Sequence, residues 1–145
     1  MNEIEFEIIE FESDLYKQTV ELRREILRRP LGIDFTYDQL AKEYADLHFA
    51  AFLNKQLIAC LILTPELDNK IKMRQVAVAN AFQSKGVGKK LISFAEQTAI
   101  AKGFKYIHCN ARETAVNFYL KNGYQQNQEM FYEVKLPHYY MSKVL

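Results

Sequence analysis

The chain has 145 residues, 19 Lys and Arg against 18 Asp and Glu, and 49% hydrophobic residues. That is the usual size of one compact domain, able to bury about 68–70% of its unfolded surface, and it is too apolar and too weakly charged for disorder. A net charge of +1 argues against a general nucleic-acid or membrane-surface binder, so functional charge must be local.

Cys60 and Cys109 lie in apolar, strand-like runs, and two cysteines make neither a disulfide framework nor a four-cysteine zinc site. The N-terminal residues lack the basic and apolar regions of a signal peptide. No apolar run approaches the roughly 20 residues of a membrane span. A reduced, soluble, cytoplasmic protein without a metal is expected.

In chain order, Glu3, Glu5 and Glu7 alternate with Ile4, Phe6 and Ile8, which predicts a half-buried antiparallel strand with the three apolar residues inward. Ser13 offers an N-cap to a helix whose stripe is Leu15, Leu22, Ile26 and Leu27, ending before Pro30. Tyr37 to Tyr44 reads as a second, short helix. His48–Leu53 and Gln56–Leu63 form a hairpin about Asn54-Lys55, and Ile71–Val78 is a further strand.

Ser84 to Lys102 is the strongest helix, with Val87, Leu91, Phe94, Ala95, Thr98 and Ala101 recurring at steps of three and four. Lys105–Asn110 is a short strand and Thr114–Lys121 a helix. Two extended pieces follow, one near Tyr124 and one from Tyr132 to the C-terminus, interrupted by Pro137. The order is strand, helix, helix, three strands, helix, strand, helix, two strands. This predicts an α/β (α+β) domain spanning 1–145, with a mixed, mostly antiparallel sheet flanked by about four helices.

The chemically informative stretch runs from Arg74 to Leu91. An apolar strand leads through a short loop into Gly86 and Gly88 and then the long helix. Glycines there leave backbone N–H groups uncovered, the helix dipole favours an anion, and Lys85, Lys89 and Lys90 add positive charge. The spacing fits neither a Walker A loop, whose first glycine and hydroxyl are missing, nor a dinucleotide fingerprint, which needs glycine where Leu91 stands. The same residues also suit an ordinary glycine-containing helix start with solvated lysines.

Gln83-x-x-Gly86-x-Gly88 after a Val-Ala-Val strand resembles the acetyl-CoA motif of the GNAT superfamily of N-acetyltransferases. Ala115-x-x-Phe118-Tyr119-x-Lys121-x-Gly123-Tyr124 is similar to the ending of that fold. Together the motifs and the element order cover essentially the whole chain. Leu22 to Gly32, Asn110-Ala111-Arg112 and Leu136-Pro137-His138-x-x-Met141 further resemble small bacterial acetyltransferases of the ElaA type.

The resemblance implies that Val76, Ala77 and Val78 pair by backbone with the pantetheine arm of acetyl-CoA. Gln83, Ser84, Lys85, Gly86, Val87, Gly88 and Lys89 would wrap its pyrophosphate, and Ala115 and Phe118 would line the thioester end. Tyr119 matches the tyrosine that protonates the departing CoA sulfur. The acceptor implied is a primary amine of a small molecule or peptide, with no nucleic acid or membrane partner, and a homodimer is common in the superfamily.

The chain also departs from the family pattern. Many relatives carry a glutamate base on the strand before the glycine-rich loop, where this chain reads Lys72-Met73-Arg74-Gln75. Glu133, His138, His48, His108 or a water chain remain as routes for the amine proton. Arg112 stands where many relatives have a pantetheine-binding Asn, and Asn110 is the substitute. Arg24 and Arg28 share a helix face; they either attract a carboxylate-bearing acceptor or form solvated pairs with Glu21 and Glu25. Beside the acetyltransferase stand two other readings, an acyl-CoA-binding sensor without turnover and a nucleotide-binding module.

Overall fold

A computed structural model describes residues 3–145. The strands are β1 (Ile4–Ile9), β2 (Leu47–Leu53), β3 (Gln56–Pro65), β4 (Lys70–Val78), β5 (Tyr106–Arg112), β6 (Gln125–Glu133) and β7 (Leu136–Val144). The helices are α1 (Asp14–Arg23), α2 (Tyr37–Ala41), α3 (Val87–Ala101) and α4 (Val116–Lys121). The chain order is the one expected. The seven strands form one mixed sheet in the order β1-β2-β3-β4-β5-β7-β6, with β4–β5 its parallel pair.

Both faces of the sheet centre are covered, which is why β2 and β3 read as unbroken apolar runs instead of alternating ones. On one face Val87, Leu91, Ile92, Ala95 and Ala99 of α3 and Val116 and Tyr119 of α4 pack on Phe49, Leu61, Leu63, Ile71, Ile107 and Met141. On the other, Tyr16 and Val20 of α1 meet Ile9, Ala50 and Phe52, and Leu22 meets Cys60 and Ala77.

Local chemistry sets the element ends. The Ser13 hydroxyl accepts from the Tyr16 N–H and caps α1, and Thr36 with Gln39 forms a reciprocal capping box on α2. The β2–β3 hairpin turns at Asn54-Lys55, both at positive φ (51° and 64°), the conformation of a two-residue turn matched to strand twist.

Several expectations are corrected. In β1 it is Ile9, not Ile8, that is buried; Ile8 is exposed while Ile9 packs under α1. On α1, Leu15 is exposed and Tyr16, Thr19, Val20, Leu22 and Arg23 form the buried face. The helical path does not stop before Pro30: α1 continues into a wide π-type turn over Arg24–Arg28 and a tight 3-10 turn over Arg29–Leu31 that holds the proline near its start, where a missing N–H is harmless. Helix α3 begins at Val87 rather than Ser84, and Ala101 faces solvent while Ile92 and Glu96 are buried. The boundary between the last two strands falls at Val134-Lys135, so that Tyr132 and Glu133 end β6 instead of opening the last strand, and Pro137 sits inside β7 opposite Tyr132.

One buried ion pair ties α1 to the segment before β2. Arg23 donates from both terminal nitrogens to Glu43, at 2.8 and 2.6 Å, and Tyr16 Oη donates to the same carboxylate at 2.8 Å. The Arg23 and Glu43 side chains are only 1% and 4% exposed, so neither charge can fall back on water. Burial pushes the Glu43 carboxyl up, but the hydrogen bonds and charge of Arg23 outweigh it and hold the group below its usual value near 4.5.

Arg23→Met strands a buried carboxylate and should cost about 3–5 kcal/mol in urea unfolding, whereas the double replacement Arg23→Met with Glu43→Leu should recover most of the loss. Because the Glu43 value is lower in the folded state than in the unfolded one, its contribution is complete above about pH 4.5 and is lost as pH falls through the folded value. A urea midpoint unchanged in Arg23→Met would contradict the assignment.

Candidate active site

Strands β4 and β5 pair over only Lys70–Lys72 and Tyr106–His108, then part. Beyond that point β4 stays with β3 and β5 stays with β7 as far as Arg112 opposite His138. The parting is built into β4: its register against β3 slips between Cys60 and Ile62, and Gln75 on the bulged side has φ 56°. A cleft of about 550 Å³ opens between the strands, lined by residues of β4 and β5 and by Leu27, Arg28, Thr64, Ala115, Tyr119, Glu133, Val134 and His138.

At the α4 wall, the Tyr119 hydroxyl lies beside the Cys109 thiol, and the Tyr119 and Cys109 side chains are nearly enclosed. Burial, then the neighbouring thiol, pushes the Tyr119 phenol up, and burial pushes Cys109 to about 12. Both are therefore neutral near pH 7, a protonated phenol beside a thiol that is no nucleophile.

At the opposite wall, His138 donates from Nδ1 to the Leu136 carbonyl at 2.9 Å, which leaves Nε2 facing Glu133 Oε2 at 3.6 Å. Asn110 Nδ2 donates to Glu133 Oε1 at 3.2 Å. The turn residue after Glu133, Val134, has φ 44°, a strained conformation for a β-branched side chain.

The cleft thus holds Tyr119, Glu133, His138, Asn110, Ala115 and Val76 together. It does not hold the other base candidates. His48 is buried elsewhere, its Nε2 against the Glu43 carbonyl at 2.9 Å and its basicity lowered by burial. His108 pairs with Glu66 and stacks on Tyr140. Arg28 lines the cleft, but Arg24 binds Asp34 at 2.8 Å and Glu21 at 3.6 Å outside it. The Glu25–Arg28 pair expected from spacing does not form; Arg28 lies 4.4 Å over the Phe35 ring instead.

The glycine-rich loop sits past the end of β4. Ser84 (φ 62°) and Gly86 (φ 81°) are both left-handed, no side chain caps Gly86, and the first N–H groups of α3 are left without helical partners. Lys85, Lys89 and Lys90 are exposed around them. Gln83 pins this loop with its side-chain amide, donating to the Val78 carbonyl at 2.9 Å and to Asn80 Oδ1 at 3.2 Å. At Gly88 an added Cβ would sit 3.5 Å from Val78 and 3.7 Å from Phe118, so Phe118 braces the helix start rather than lining the cleft. Ala77 is buried on the α1 face, and Val76 and Val78 are half-buried.

The sequence reading did not single out Cys109, Gln75, Arg74, Lys72 and Val134 as cleft residues. Lys72 and Arg74, two apart on one strand, carried a signal; the bulge at Gln75 and the long-range approach of Val134 carried none.

Residues 11–124 match the model of the Acetyltransferase (GNAT) family. Among curated relatives, the uncharacterized N-acetyltransferase YitI of Bacillus subtilis (strain 168) is 23% identical over 130 residues, 86% of this chain and 87% of YitI. The uncharacterized YyaT of the same organism is 29% identical over 72 residues, and that match spans about half of each chain. Among solved structures, Escherichia coli ElaA superposes with TM-score 0.77 at 21% identity, covering 97% of this chain and 99% of ElaA. A GNAT family acetyltransferase from Elizabethkingia anophelis with acetyl-CoA bound superposes with TM-score 0.76 at 16% identity, covering 98% of each chain. With the family model spanning most of the chain and the splayed β4–β5 cleft in place, the protein belongs to the GNAT acetyltransferase family.

Proposed function

We propose that the chain transfers an acetyl group from acetyl-CoA to a primary amine by direct attack within a ternary complex. The observation that carries this reading is the cleft itself, with Tyr119 on one wall and Glu133 with His138 on the other. The free backbone edge of Val76, Ala77 and Val78 suits the pantetheine amides as an added strand. The uncapped, left-handed loop from Gln83 to Lys89 suits the pyrophosphate.

An alkyl ammonium with a pKa of about 10.4 is neutral at pH 7 roughly once in 2,500 molecules, a cost near 4.6 kcal/mol. His138 Nε2 and the Glu133 carboxylate receive that proton. The amine nitrogen then bonds to the thioester carbon, the C–S bond breaks, and the electron pair leaves on sulfur. Tyr119, held protonated, gives the proton that converts the thiolate to a thiol, and the second proton that the nitrogen sheds on becoming an amide restores the phenol. The reading gives the role of the missing β4 carboxylate to Glu133 of β6 with His138 of β7, and turnover separates it from a sensor that only binds acyl-CoA. Two unpaired, buried cysteines suit a reducing cytoplasm.

Acetyl-CoA at 100 times its dissociation constant should add about 2.7 kcal/mol and raise the melting temperature by roughly 5–10 °C, with no comparable shift from ATP. The reverse pattern would return the nucleotide-binding reading. Tyr119→Phe should lower kcat by about 10²-fold or more while acetyl-CoA affinity stays within about twofold. Glu133→Gln should lower kcat/KM near neutral pH and lose less by pH 9–10, where more of the amine is already neutral. A Glu133→Gln deficit that is independent of pH would remove Glu133 from proton transfer.

A further inference from the structure

The cleft carries more positive charge than the acyl donor can use. Arg28, Lys72, Arg74 and Arg112 line it against a single carboxylate, Glu133. The arginines outside it are all neutralised at short range: Arg23 by Glu43 at 2.6 Å, Arg24 by Asp34 at 2.8 Å, Arg29 by Glu21 at 2.6 Å. Those inside are not. Arg74 reaches Asp46 only at 3.8 Å, and among the described residues Arg28 and Arg112 form no ion pair.

These two guanidiniums are also placed together. Arg28 Nη1 and Arg112 Nη2 both donate to the Leu27 carbonyl at 3.1 Å, so the two forks converge on one oxygen. The Phe35 ring lies 4.4 Å from the Arg28 guanidinium and 4.6 Å from that of Arg23. Burial, then the charges of Arg112 and Arg23, make Arg28 less basic than usual, with the Glu133 carboxylate offsetting them only in part, which is the electrostatic cost of leaving cations together in a half-enclosed site. Arg112 is the direct β5–β7 partner of His138, so the cations stand next to the groups that would take up the amine proton.

Acetyl-CoA does not account for them. Its pantetheine arm is uncharged, its pyrophosphate is assigned to the loop from Gln83 to Lys89, none of which lines the cleft, and its ribose 3′-phosphate lies beyond the pyrophosphate, further from the thioester. We infer that Arg28 and Arg112, with Arg74 beside them, hold an anionic oxyacid group of the acceptor. The substrate class is then a short amine bearing a carboxylate or phosphate a few bonds from its nitrogen, such as an amino acid. Paired guanidiniums match either group bidentately. Of the two arginines expected from the sequence, Arg28 is kept and Arg24 is replaced by Arg112. The inference rests on the acetyl-transfer reading.

The test follows CoA-thiol release by the full chain with acetyl-CoA, across L-amino acids paired with their α-amides and O-phosphoethanolamine paired with ethanolamine. The amides have the less basic amine, so simple reactivity favours them. At least about 10²-fold higher kcat/KM for the anionic member is expected in the amino-acid or the phosphate arm, and the arm identifies the group. Equal or faster turnover of the neutral members in both arms overturns the inference while acetyl transfer stands.

Arg28→Gln and Arg112→Gln should each raise the KM of the anionic acceptor by about tenfold or more and keep the melt shift given by acetyl-CoA. Loss of that shift would assign the arginines to the donor and overturn the inference. If no amine is acetylated, calorimetry of N-acetylphenylalanine and of N-acetylphenylalanine amide on the CoA-loaded protein decides separately. Binding of the acid but not the amide supports the anion site and sinks the transferase reading; no preference for the acid overturns the anion site.

Discussion

Everything in this molecule that bears on chemistry depends on three residues of parallel pairing. Lys70–Lys72 of β4 meet Tyr106–His108 of β5, and beyond them the sheet opens. A sheet does not tear without cause, because each unpaired N–H and C=O inside a protein costs free energy. Here each half keeps another partner. The bulge at Gln75 turns β4 toward β3, while β5 runs on with β7 through Arg112 and His138. Helix α3 covers the β2–β4 side and α4 the β5–β7 side within one continuous apolar core, which holds the two halves together while the strands stay parted. The backbone edges left facing the gap are what a ligand with amide groups can use.

Charge is distributed in the same divided way. The net +1 averages six acidic residues among the first fourteen, a lysine cluster at the start of α3, and the guanidiniums of the cleft. The buried Arg23–Glu43 pair shows how this fold treats a cation it holds only for structure: a carboxylate at 2.6 Å and a second donor on that carboxylate from Tyr16. Arg28, one turn further along the same helical path, shares the Phe35 face with Arg23 but receives a carbonyl in place of a carboxylate. That contrast within six residues separates a structural cation from one kept for a ligand.

The order of elements was legible because strands and helices bury their faces with different periods, and the glycine-rich helix start was legible because its spacing excludes two nucleotide loops and, together with the Ala115–Tyr124 ending, resembles the family's motifs. What escaped was whatever depends on phase or on distant register. Arg24 and Arg28 are four apart, which puts them on one face of an α-helix; the π-type turn, closed by the Arg29 N–H on the Arg24 carbonyl, widens the spiral and swings Arg28 into the cleft while Arg24 stays outside. Ile8 and Ile9 are adjacent apolar residues on an edge strand, and only the cover supplied by α1 selects Ile9. Glu133 and His138 meet Tyr119 across the β5–β7–β6 pairing, a register that no local pattern encodes.

The backbone irregularities point to the same place. Asn54 and Lys55, Asp68 and Asn69, and Val134 and Lys135 take positive φ in pairs, the first and last as two-residue strand turns and the middle pair at the end of the longer β3–β4 connection. Asn and Asp suit that conformation, but Val134 does not, and it is the member of the three pairs that lines the cleft. Gln75 and Ser84 also take positive φ, one at the strand bulge and one in the loop before α3. Add the π-type turn that carries Arg28, and the cleft and its loop are bordered by four local departures from regular structure. Each costs of order 1–3 kcal/mol where a residue is forced into a sparsely populated region, and the well-packed sheet centre offsets that cost. Positive φ also occurs away from the cleft, at Glu12 and in the turns at Asn54-Lys55 and Asp68-Asn69, so what marks the cleft is where such residues fall: Gln75 within a strand and the β-branched Val134 in a turn. Those two positions and the π-type turn are where the backbone aims a row of amides, a carboxylate and a guanidinium at the same space.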